Sequence, residues 1–167
     1  MTGWSTGTKT LTLFYWQPGM PFRVAHRSAV SLALEKAREA PVILSCEPNE
    51  ATRRRLREFD TDRPLICTTR IAPLDSGGAE QLIRLIREHQ VSVLIIDKLR
   101  RLEPWMHWTT PGEELDRADR EVLRGLRRLI SAFDRPIEVV LFHLIDRDKA
   151  EQLLGEGLVD ELGEVRS

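Results

Sequence analysis

Five short apolar runs alternate with helical patterns along this chain. Residues 11–16 (LTLFYW), 42–46 (VILSC), 64–67 (PLIC), 91–97 (VSVLIID) and 137–143 (IEVVLFH) read as strands. Their hydrophobic positions are nearly continuous, the pattern of strands buried on both faces. Between them, apolar residues recur at three- and four-residue spacing over 24–40, 50–59, 78–90 and 114–133, with a short final helix over 148–154. Such alternation predicts an α/β domain with a mostly parallel five-stranded sheet and helices on both faces. No repeat or linker divides the chain, so residues 1–154 read as one domain and 155–167 as an acidic C-terminal tail that frays or docks. One long stretch, 99–112, has no regular pattern, and it holds Trp105 and Trp108.

Composition narrows the function classes. The 167 residues suffice for one real core, and 25 basic residues nearly cancel 26 acidic ones. No global field therefore draws the protein to DNA or to a lipid surface, and any nucleic-acid contact must come from a local patch. Two cysteines, Cys46 and Cys67, fall at the ends of predicted strands without metal-ligand spacing. They read as small core residues in a reducing compartment. No apolar run reaches membrane-spanning length, and the N-terminus lacks a signal peptide's basic start, so the expectation is a cytoplasmic protein without a membrane partner.

The candidate chemistry sits at the first strand–turn–helix unit. A strand, the turn Gln17-Pro18-Gly19-Met20 and a helix N-terminus have the layout of a phosphate-binding loop. Where such a loop closes on Gly-Lys-Ser/Thr, this chain carries Pro21, Phe22 and Arg23. Proline has no N–H to give, Phe22 brings no charge and Arg23 no metal-ligating oxygen. Arg23 is left as the one cation able to reach a phosphate. A near-motif over residues 3–10 (GWSTGTKT) precedes the first strand instead of following it, and reads as a turn. Glu47 and Asp97 end predicted parallel strands at their carboxyl edge, where ligands of open α/β sheets bind. Each is either a working acid or an inherited, idle one.

In order, these pieces resemble the motor domain of DnaB-type replicative helicases, within the RecA-like ATPases. Residues 3–7 resemble that family's Gly-Leu-x-x-Gly lead-in, and Gln17-Pro18-Gly19-Met20 its Arg-Pro-Ser-Met. Ser45-Cys46-Glu47 resembles the segment whose Glu polarises the attacking water, and Val93–Leu99 resembles the Walker B strand ending in Asp-Tyr-Leu. The stretch 120–129 resembles the helix before the sensor strand, and Phe142-His143-Leu144 stands where Ser-Gln-Leu is usual. The match spans about residues 3–150.

The resemblance implies a RecA-like three-layer sandwich, with Glu47 as a vestigial water-polarising base, Asp97 as the Walker B acid and sole candidate Mg²⁺ ligand, and His143 at the sensor position. It implies a degenerate nucleotide loop made of Gln17, Pro18, Gly19, Met20 and Arg23. The further β-structure that carries a trans-acting arginine finger in that family has no counterpart after Arg147. The expectation is therefore a non-catalytic factor in DNA replication or recombination that needs no cofactor. A reduced Mg-ATP-dependent ATPase and a purely structural assembly module are the alternatives. Lys98, Arg100, Arg101, Trp105, His107 and Trp108 combine cations with aromatics, which suits stacking on single-stranded DNA. The same residues suit a helicase partner, self-association or a cap on the core. Arg53, Arg54 and Arg57 share one side of a predicted helix and form a second candidate phosphate-tracking patch.

Overall fold

The structure, a computed structural model, describes residues 9–47, 49–58, 65–69, 71–103 and 113–166, with backbone only at 58 and 113–115. The elements are β1 (Thr10–Trp16), α1 (Phe22–Lys36), β2 (Val42–Ser45), α2 (Glu50–Glu58), β3 (Leu65–Thr68), α3 (Gly78–His89), β4 (Val93–Ile96), α4 (Glu113–Ser131), β5 (Glu138–Leu144), α5 (Arg147–Gly155) and β6 (Glu161–Glu164). Among the described residues six strands form one open sheet in the order β3-β2-β4-β5-β1-β6, and every pairing is parallel.

Alternate residues of each strand feed two cores. Leu11, Leu13, Ile43, Leu94, Val139 and Leu141 enter one, beneath Leu82 and Ile86 of α3, Leu123 and Leu126 of α4, and Leu153 of α5. Val42, Leu44, Val93, Ile95, Val140 and Phe142 enter the other, beneath α1. Ala25, Ala29 and Ala33 stack at four-residue spacing on the buried face of α1, so small side chains let that helix lie close on the sheet. The helix α2 packs beside α1. The result is α/β and consistent with a RecA-like three-layer sandwich.

Two expectations about layout change. The sheet has six strands where five were predicted, because residues assigned to the tail supply β6. Asp160 anchors that strand: its Oδ2 accepts the Leu11 N–H at 2.8 Å and its Oδ1 pairs with Arg127 at 2.8 Å. The irregular stretch also begins in order, since Leu99–Leu102 form a 3-10 helix with Leu99 and Leu102 buried. Residues 104–112, with Trp105, His107 and Trp108, lie outside the described residues, as do residues 3–8 of the near-motif. Among the described residues no helix is long and apolar enough to cross a membrane.

Candidate functional site

The first loop is a closed turn. Met20 N–H donates to Gln17 C=O at 3.2 Å, Pro18 occupies the second turn position, and Gly19 takes the third at φ 100°. A left-handed residue after Pro is the geometry of a type II turn, and glycine fills it without strain. Pro21 then caps α1 from an extended conformation (φ −65°, ψ 143°), and Val24 N–H turns back to Pro21 C=O at 3.0 Å. Of the loop amides, Met20 N–H is spent inside the turn and Val24 N–H on Pro21 C=O, while Pro18 and Pro21 have none to give. The Gln17 side chain donates to Glu164 at 3.1 Å, tying the loop to β6. Pro18 and Arg23 are exposed.

Phe22, at the position where the resemblance expects lysine, is half-buried. Its ring lies 5.9 Å from that of Trp16 and 5.7 Å from that of His26, and the Lys98 ammonium sits 5.2 Å from its centroid. Apolar area and a cation–π contact hold it over the start of α1.

One turn further on, His26 is the residue that sequence reasoning missed. It lies on the buried face of α1 and is itself buried. Its Nδ1 meets Asp97 Oδ2 at 2.9 Å, and its Nε2 meets both Asn49 Nδ2 at 2.8 Å and the Thr52 hydroxyl. The tautomer follows from the surroundings. Thr52 N–H donates to Asn49 Oδ1 at 2.7 Å, which supplies an acceptor at the start of α2 and turns the carboxamide N–H towards His26. Nε2 is thus the acceptor, and the ring proton on Nδ1 donates to Asp97. The lone Thr52 hydroxyl proton faces both Nε2 and Asn49 Oδ1.

Asp97 is fully buried, at the carboxyl end of β4. Besides His26, it accepts the Glu47 backbone N–H on Oδ2 at 3.1 Å. Its other oxygen, Oδ1, lies 2.9 Å from Arg101 Nε, and Arg101 also reaches Glu47 Oε1 at 3.4 Å. The Nε–H is not aimed squarely at Oδ1, so that contact acts through charge more than as a directed hydrogen bond. Burial raises the Asp97 carboxyl above its ordinary range, and the hydrogen bond and charge of His26, then Lys98, pull it back. Two donors on Oδ2 and a guanidinium beside Oδ1 are matched best by the carboxylate form. Glu47 and Asp97 are therefore neighbours at one edge, as expected, but a protein guanidinium sits between them.

The cationic row Lys98, Arg100, Arg101 does not form an outward platform. Arg101 turns inward to the two acids, Lys98 covers Phe22, and Arg100 lies near a second buried cluster of Glu103, Asp119 and His143. These cations sit among buried acids and rings that compete for them. His143 is a buried, hydrogen-bonded histidine. Its side chain faces α4, where Nε2 meets Asp119 Oδ2 at 2.7 Å, instead of the Gln17–Arg23 loop. Burial, then the neighbouring Asp119, pushes the Glu103 carboxyl up to about 9. Burial also works to raise Asp119, but the His143 hydrogen bond and charge leave it lowered on balance.

Arg53, Arg54 and Arg57 are exposed on α2 as the helical spacing implies. Arg53 and Arg57 line a cavity of 470 Å³ with Cys46, Asn49, Thr52 and Cys67. A second cavity, of 610 Å³, opens between α3 and α4 and includes none of the predicted site residues. Among the described residues there is no cluster of three or more His, Cys, Asp or Glu side chains arranged to hold a metal ion. The sequence matches no protein-family model and no curated protein.

Proposed function

We propose that this chain is a non-catalytic RecA-fold module that works in DNA replication or recombination through contact with DNA or a helicase-type partner. The observation that carries the first half is the state of Asp97. A Walker B acid has to turn its oxygens towards Mg²⁺ and its water, whereas both Asp97 oxygens are engaged by His26, Glu47 N–H and Arg101. The donor set does not fit Mg-ATP: Pro18 and Pro21 give no N–H and the Met20 amide is spent in the turn, Phe22 and Arg23 stand where the resemblance expects lysine and a hydroxyl, and Arg101 already supplies the positive charge. The ordered motif resemblance over residues 3–150 supports the second half, and the open parallel sheet is consistent with it.

Isothermal calorimetry with Mg-ATP tests the non-catalytic reading. No saturable heat is expected at millimolar nucleotide, and a tight Mg²⁺-dependent isotherm that Asp97→Ala abolishes would establish the reduced-ATPase reading instead. Fluorescence anisotropy with a labelled single-stranded oligonucleotide, run beside light scattering, tests the binding half. Trp105→Ala or Trp108→Ala should lower DNA affinity by roughly 1–3 kcal/mol if bases stack there. Loss of an oligomer without change in anisotropy would point to the assembly module.

A further inference from the structure

We propose that Cys67 and Cys46 form a peroxide-reactive dithiol site, in which Cys67 is oxidised first and Cys46 resolves it to an intramolecular disulfide. The register brings them together. Cys67 of β3 lies opposite Leu44 of β2, and Cys46, two residues beyond Leu44, shares its side of the sheet. The two sulfurs are 3.5 Å apart and both thiols are free. Closing a disulfide requires an approach of about 1.5 Å, within reach of small side-chain rotations.

The two thiols differ in the way this chemistry requires. Cys67 is exposed while Cys46 has no exposed surface. Both line the 470 Å³ cavity, whose wall also carries the exposed Arg53 and Arg57. The hydrogen bond from Cys46 lowers the Cys67 thiol to about 7, against the effect of burial. The same hydrogen bond, then burial, pushes Cys46 up. Cys67 is the nucleophile and Cys46 its sheltered partner.

In the first step the Cys67 thiolate sulfur attacks one oxygen of hydrogen peroxide. The S–O bond forms, the O–O bond breaks, and the leaving hydroxide takes a proton to become water. Sulfur is oxidised to a sulfenic acid and the peroxide is reduced. In the second step Cys46 gives up its proton and its sulfur attacks the Cys67 sulfur. The S–S bond forms, the S–O bond breaks, and a second water leaves. Two thiols and one peroxide yield one disulfide and two waters. The link pins the carboxyl ends of β2 and β3 one residue before Glu47, whose N–H binds Asp97.

The test uses the reduced full chain, stoichiometric hydrogen peroxide and a maleimide quench under denaturing conditions, read by intact mass and peptide mapping. Both thiols should disappear together, with a monomer lighter by two hydrogen atoms, a Cys46–Cys67 linked peptide and full reversal by dithiothreitol. Cys46→Ser should leave a Cys67 sulfenic acid that a 1,3-dione traps. In the reduced wild type, iodoacetamide should alkylate Cys67 about ten-fold faster than Cys46. The proposal is overturned by Cys67 over-oxidised while Cys46 stays a thiol, by linkage solely between chains, or by two unreactive thiols.

Discussion

The Asp97–Arg101 contact gives the sharpest quantitative test of the site. Replacing Arg101 with Met keeps the aliphatic stem and removes the charge. At 2.9 Å the attraction is about 6 kcal/mol gross for an effective dielectric of ~20. Much of that is cancelled by the cost of taking both groups out of water, since Asp97 is fully buried and the Arg101 side chain is 16% exposed. What the substitution leaves behind is a buried carboxylate on His26 and one backbone N–H. Breaking such a pair costs roughly 3–5 kcal/mol, and Arg101 retains some water contact, so a loss of about 3 kcal/mol is expected. The Glu47 arm adds little, because that carboxylate is 49% exposed and screened.

Urea unfolding of wild type, Arg101→Met, Asp97→Asn and the double variant closes the cycle. The double variant should be less destabilised than the sum of the single ones, with a coupling of ~2 kcal/mol or more. Raising salt from ~0.15 to ~1 M should leave the coupling nearly unchanged, because a buried pair is poorly screened. An Arg101→Met cost under ~1 kcal/mol, or no coupling, would refute the argument that Arg101 serves as the internal counter-ion of Asp97.

Two further outcomes follow from packing and protonation. A Cβ on Gly163 would stand 2.4 Å from the Phe14 ring, which is itself stacked on Phe142 at 5.2 Å. Gly163→Ala should therefore cost roughly 1–3 kcal/mol in urea unfolding and reduce hydrogen-exchange protection of β6 first; unchanged protection would show that β6 is not seated as described. Glu103, pushed up to about 9, binds its proton more tightly in the folded chain than in the unfolded one. Its stabilising contribution is complete below the ordinary carboxylate range and is lost as pH rises through about 9. Wild-type stability should fall across that window by up to ~1.4 kcal/mol per pH unit, and Glu103→Gln should flatten the curve; equal slopes would reject the assignment.

The buried strands were legible because burial on both faces writes itself as an apolar run: VLII and VILS allow little else. The strand β6 was not, since ELGE has one apolar residue and sits at an edge. Its place depends on pairing with Thr12–Tyr15 and on Asp160 and Glu164 meeting Arg127 and Arg147, partners far away in the chain. The carboxyl-edge placement of Glu47 and Asp97 was readable from strand ends alone. His26 left a signal that was available in principle: it is the polar residue on a helix stripe otherwise made of Ala25, Ala29, Val30 and Ala33. A polar side chain at such a position needs a buried partner. The cysteine pair was hidden for a different reason, because only the β2–β3 register turns two separated thiols into neighbours.

These departures share a physical logic. An acid at the carboxyl edge of a parallel sheet is costly when its cation is absent, since burial raises its protonation and weakens the network around it. In this chain Asp97 is met by groups from three separate segments: the His26 side chain from α1, the Arg101 side chain from the 3-10 turn after β4, and the Glu47 backbone N–H just beyond β2. Each lies on an element that converges on this edge of the sheet. This fixes the edge in one arrangement, because opening Asp97 to an external ligand would strip two hydrogen bonds and a counter-charge from a buried carboxylate at once.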